Sequence, residues 1–102
     1  MLFIRNKSVY DLTKEELANN FSYEPISEKA QVLEYMKSFS EPYSFTSQPV
    51  IDVFTNQKFE YVDNGFSDGV YIWHRSQIYH FEKYNLKLND DFIKYVLNKM
   101  NT

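Results

Sequence analysis

Val50-Ile51-Asp52-Val53-Phe54 and Phe59-Glu60-Tyr61-Val62-Asp63 are two branched and aromatic runs separated by Thr55-Asn56-Gln57-Lys58. Such side chains fit a pleated, half-buried surface, and a short polar gap holding Asn is hairpin chemistry. The spacing predicts a ladder between 50–55 and 58–63. Asn64-Gly65 and Asp68-Gly69 are turn dipeptides, and Val70-Tyr71-Ile72-Trp73-His74 reads as a third strand. Three successive strands joined by short turns predict an antiparallel meander between 43 and 74, a sheet of three or four strands. Helices must cover one face of it, which makes the fold class α+β.

The helices are expected on either side. Thr13 with Glu16 three residues later is a capping box, and Leu12, Leu17 and Phe21 give an apolar edge to a short helix over 14–20. Pro25 and Ser27 announce a second helix near 27–39, with Ser27 as N-cap and Glu28 in the first turn. Ile26, Ala30, Leu33 and Met36 recur at helical spacing, and Val32, Tyr35 and Phe39 add a second apolar row. Ser76 can cap a helix over 76–84 carrying Ile78 and Phe81, although the alternation of Tyr79, Phe81 and Lys83 leaves a strand as the competing reading. Asn89 caps the last helix, with Asp90 and Asp91 in its first turn and Phe92, Ile93, Val96, Leu97 and Met100 as its stripe. The apolar run Met1–Ile4 reads as a strand or as a tail docked on the core. With 102 residues and no linker or repeat, residues 1–102 are expected to form one domain.

Several chemistries are excluded by composition. No cysteine is present, which removes disulfides, thiolate zinc sites and cysteine nucleophiles. There is no Gly-x-Ser-x-Gly elbow and no phosphate-cradling glycine loop. Asp63–Gly69 lacks the alternating oxygen ligands of a calcium loop, and turn chemistry accounts for its aspartates. His74 and His80, the two histidines, are six apart and do not form a helical metal pair. No catalytic residue, metal or cofactor is therefore expected. The N-terminus does not read as a signal peptide, and no stretch reaches the roughly 18 apolar residues of a membrane span, so a cytoplasmic location without membrane contact is expected.

Charge and aromatics point to binding. The net charge is −3, but residues 11–68 hold eleven acids against four lysines, a net of −7, while the rest nets +4. No Lys/Arg cluster suggests nucleic acid, and the asymmetry suits a basic protein partner. Nine Tyr, nine Phe and one Trp read first as a Phe-rich core with a compositional bias toward Phe, Tyr, Asn, Lys and Ile, and second as a tyrosine-rich interface, because tyrosine hydroxyls tend toward the surface and tyrosine is favoured in binding patches. The candidate partner-binding set is Asp52, Glu60, Asp63 and Asp68 as acids, with Tyr61, Tyr71 and Trp73 as anchors. Tyr71 and Trp73, two apart on a strand, share one face. For Trp73 the first reading is a core anchor of the sheet against a helix, and the binding anchor is the second.

The stretches Asp68–Trp73, Tyr79–Leu88 and Phe92–Leu97 resemble small bacterial immunity proteins, the cytoplasmic partners that neutralise polymorphic or contact-dependent toxins. The resemblance implies a tight one-to-one complex with a toxin domain, often a nuclease, whose basic surface an acidic plug would occupy. Two other classes stay open. One is a small histidine-dependent, nuclease-like enzyme; the other is a phage-encoded inhibitor or a subunit of a larger assembly.

Overall fold

Thr13 opens the first helix as its spacing predicts. Its hydroxyl accepts from the Glu16 amide at 3.2 Å, and the Glu16 carboxylate accepts from the Thr13 amide at 3.1 Å. These two bonds satisfy donors that the first helical turn leaves unpaired. In the computed structural model, which describes residues 2–5 and 7–101, helix α1 spans Lys14–Asn20 and α2 spans Lys29–Lys37. Helix α3 spans Arg75–Tyr84 and α4 spans Asp90–Met100, which settles 76–84 as helix. The strands are β1 (Leu2–Phe3), β2 (Pro49–Ile51), β3 (Lys58–Val62), β4 (Gly65–Ser67) and β5 (Tyr71–His74). The fold is α+β, with two small sheets.

The expected hairpin forms. β2 and β3 pair antiparallel, Pro49 opposite Val62 and Ile51 opposite Lys58, with a register irregularity between. Asn56 turns the loop in the left-handed region at φ 62°, a conformation Asn tolerates. The single meander does not form. After β3 the chain leaves the first sheet, and β4 and β5 form a second hairpin in another sheet of order β1-β5-β4. Strand β1 lies parallel to β5, with Leu2 opposite Tyr71 and Phe3 opposite Ile72. The reading of Met1 falls outside the described residues, while Ile4 beyond the strand is fully buried.

Gly65 explains part of the departure. It is a strand residue, bridged to Ser44 on one side and paired with His74 on the other. Its amide donates to the Ser44 carbonyl at 3.0 Å, and a Cβ there would run into the Ser44 hydroxyl, so the glycine serves strand pairing beside that side chain and not a turn. Gly69 does occupy a turn, at φ 95°.

Three caps differ from expectation. Glu28, not Ser27, flanks α2, and it makes no side-chain cap bond. Residue 74, not Ser76, flanks α3, where the Gln77 side-chain oxygen accepts from the His74 amide at 2.8 Å. Asn89 holds the N-cap position of α4, but its side chain donates to the Phe3 carbonyl at 3.2 Å. It thereby ties the first strand to the last helix.

The core lies between the three-stranded sheet and helices α2 and α4. Trp73 is fully buried, its ring 5.8 Å from Phe92 and 5.6 Å from Phe39. Val32, Met36, Phe81 and Val96 complete the layer. The Trp73 indole nitrogen has no hydrogen-bond partner among the described residues, so the ring acts as an apolar wedge.

Candidate functional site

The fold separates the seven candidate binding residues into three groups. Asp52, Tyr71 and Trp73 are buried, with relative exposures of 0%, 7% and 0%. None of the three can meet a partner in this conformation, which corrects their reading as contact residues. The physical reason is clear for the rings: the shared face of Tyr71 and Trp73 is the one α4 covers, and Tyr71 lies 5.0 Å from Phe92. Asp63 and Asp68 are half-buried and engaged in the fold. Glu60 and Tyr61 are exposed.

Asp63 and Asp68 act on the backbone. Asp63 accepts from the Ser76 amide at 2.7 Å and the Ser76 hydroxyl at 3.0 Å, supplying an acceptor to the first turn of α3 from outside the helix. Asp68 closes the β4–β5 turn by accepting from the amides of Val70 at 2.9 Å and Tyr71 at 2.7 Å. Its other oxygen takes the Tyr35 hydroxyl, which pins the turn to α2. Burial opposes the Asp68 charge, yet these donors outweigh it and hold the carboxyl below its ordinary value.

Asp52 is the centre of a larger network. Its Oδ2 accepts from the hydroxyls of Tyr79 and Tyr84, each at 2.6 Å, and its Oδ1 accepts from the amides of Phe54 at 2.8 Å and Thr55 at 3.1 Å. Lys83 Nζ stands 3.8 Å away. Desolvation works against the charge, but four donors overcome it, so the carboxyl titrates well below the usual carboxylate range. Burial, then the bond to Asp52 and its charge, push both tyrosines up to about 12.

His80, the neighbour of Tyr79 in α3, completes the network. It is fully buried; its Nδ1 lies 2.7 Å from the Ser76 carbonyl and its Nε2 accepts from the Val53 amide at 3.1 Å. A carbonyl on one nitrogen and an N–H on the other define a neutral ring protonated on Nδ1. Burial pushes its pKa down, against the pull of the Ser76 carbonyl, Asp52 and Asp63. Together Asp52 and His80 fasten the loop 52–57 to α3. The sequence carried a trace of this: Asp52 sits between two branched residues, and His80 and Tyr84 are one helical turn apart.

Two clefts open on either side of this network. One, of about 370 Å³, lies between β3, α3 and the end of α2. Tyr61 stands at its wall, stacked on Phe59 at 5.1 Å, and Arg75 lies over the Tyr61 ring at 5.6 Å. Lys37 in the wall is paired with Glu82 at 2.7 Å. The other, of about 800 Å³, runs between α1 and α3, with Leu17, Phe21, Phe54 and Tyr84 among its lining residues. The sequence reading passed over this groove because its walls come from three separated segments.

The two histidines do not share a cavity. His80 is buried, while His74 lines a polar cavity of about 320 Å³ with Arg5, Asp63 and Ser76. Ser76 donates to Asp63 there, and no bond joins His74 to Ser76 among the described residues. Among the described residues no group of three or more His, Asp or Glu is placed to hold a metal ion. No helix among them is long and apolar enough to cross a membrane.

Fold and site define a small α+β domain whose buried polar groups fasten its loops and whose aromatic side chains line two open clefts. No protein-family model matches the chain, and no curated protein or solved structure matches it.

Proposed function

We propose that the chain is a non-catalytic protein-binding module, an immunity protein that neutralises a cognate, basic toxin domain of the nuclease kind by direct binding in the cytoplasm. The observation that supports this reading is the state of Tyr61 and Glu60. Of the seven candidate residues they are the two that the fold leaves exposed, and Tyr61 stacks on Phe59 at the wall of a cleft. A rigid aromatic over an apolar cleft is the kind of anchor that carries binding energy, and a neighbouring carboxylate steers a basic partner. Of the two histidines that a histidine-dependent enzyme could use, His80 is buried with both ring nitrogens bonded to backbone, which leaves His74 as the one to test.

The experiment is direct. The protein is mixed with the product of the gene adjacent to its own, and complex formation, stoichiometry and protection of cells are measured. A one-to-one complex is expected, weakened roughly tenfold or more by Glu60→Lys with Tyr61→Ala, as for a central anchor. Absence of a complex, or protection that survives the double variant and is lost in His74→Gln, overturns the proposal. His80 is unsuited to that comparison because it is buried and accepts from the Val53 amide, so its replacement tests the fold as much as the chemistry.

A further inference from the structure

We infer that the groove between α1 and α3 is a second docking surface, and that it takes an acidic, amphipathic peptide segment of a partner. Its floor is aromatic. Phe54 stands edge-on to Phe21 at 4.9 Å and packs on Tyr84 at 4.5 Å, with Leu17 and Ala18 of α1 facing them. Phe54 is 47% exposed and Tyr23 at the rim is wholly exposed. Large apolar side chains left open in a groove of about 800 Å³ mark a place where another molecule completes the packing.

Charge selects the occupant. The chain as a whole carries −3, yet the two charged side chains lining this groove are Lys14 and Lys83. Asp52 offsets part of the Lys83 charge from beneath, but it is sealed from solvent, and Lys14 has no such counter-ion among the described residues. A partner with carboxylates beside apolar anchors matches this surface, and a basic one does not. An extended or helical segment fits better than a small molecule, because a ligand seated on the Phe54–Tyr84 floor would leave the Tyr23 rim uncovered.

The groove is also preorganised. Phe54 projects from the loop that Asp52 and His80 fasten to α3, through the Phe54 and Thr55 amides on Asp52 and the Val53 amide on His80. The floor is therefore set before binding, which lowers the ordering cost of docking.

The surface differs from that of Tyr61, so the two proposals fail separately. Two labelled amphipathic peptides of about sixteen residues serve as probes, both with Leu and Phe at helical spacing, one with Glu and the other with Lys at its polar positions. Fluorescence anisotropy reads affinity, and amide chemical shifts locate the site. The Glu peptide is expected to bind at least tenfold more tightly than the Lys peptide, to weaken with salt, and to shift Leu17, Phe54 and Tyr84. Lys14→Glu and Tyr23→Ala, both at exposed positions, should each weaken it several-fold, and Tyr61→Ala should not. Equal or tighter binding of the Lys peptide, shifts confined elsewhere, or no binding by either peptide overturns the inference.

Discussion

Asp52 and Glu60 face different fates on one hairpin. Asp52 opens the loop between β2 and β3 and is wholly buried; Glu60, in the middle of β3, is exposed. Asp52 accepts four hydrogen bonds, from two tyrosines of α3 and two amides of its own loop. Glu60 has no hydrogen bond or ion pair among the described residues. Both count equally in a net charge, but only Glu60 is placed to touch a partner. The difference teaches that an acidic segment is not an acidic surface: of the four acids between residues 52 and 68, three hold backbone.

The strongest way to break the comparison is Asp52→Ala. It removes the acceptor of two half-buried tyrosine hydroxyls and of two amides in an exposed part of the loop, and the expected cost is about 2–3 kcal/mol. Urea unfolding followed by circular dichroism measures it. A loss under about 1 kcal/mol would mean that the network is a by-product of packing.

The pH dependence of stability sharpens it next. His80 and Asp52 both have depressed values in the folded state, so each contributes stability above its unfolded value that is lost as pH falls. The decline should begin just below the unfolded histidine value of 6.5, and deepen below the unfolded carboxyl value of 3.8. His80→Gln should remove the first part and keep the second. Tyr79 and Tyr84 are raised, so their share is complete below 10.0 and is lost as pH rises through about 12. Unfolding midpoints measured across the range check all three limbs, and an acid limb unchanged by His80→Gln would remove the histidine from the account.

Asp63→Ala should have an intermediate effect, about 1–2 kcal/mol, the usual worth of a helix-terminal acceptor. Amide exchange should then quicken at the first turn of α3 before it does elsewhere. Glu60→Gln should change stability least, by no more than about 0.5 kcal/mol, as for an exposed site with no partner. A larger loss there would show that β3 depends on Glu60, and the proposed contact surface would have to move.

How much was legible depended on how local the cause was. The capping box at Thr13, the stripe of α4 and the 50–63 hairpin are set by neighbours a few residues apart, so spacing alone reveals them. The split of the meander was not legible. It turns on Gly65 meeting Ser44 and on β1 arriving beside β5 from the other end of the chain. Asn64-Gly65 has the composition of a turn, and nothing in it tells a turn from strand pairing.

The candidate site divides along the same line. Sequence determined the α+β class, the helix spans near 14–20 and 89–100, the excess of aromatics and the acidity of the middle of the chain. Only the tertiary structure decided which aromatics fill the core and which carboxylates face solvent. Trp73 and Tyr71 are buried because α4 crosses their face of the sheet, whereas Phe54 stays half open because α1 and α3 part beside it. Hydrophobicity and charge belong to the residue, but exposure depends on which distant segment packs against it, and that is fixed only when the whole chain closes.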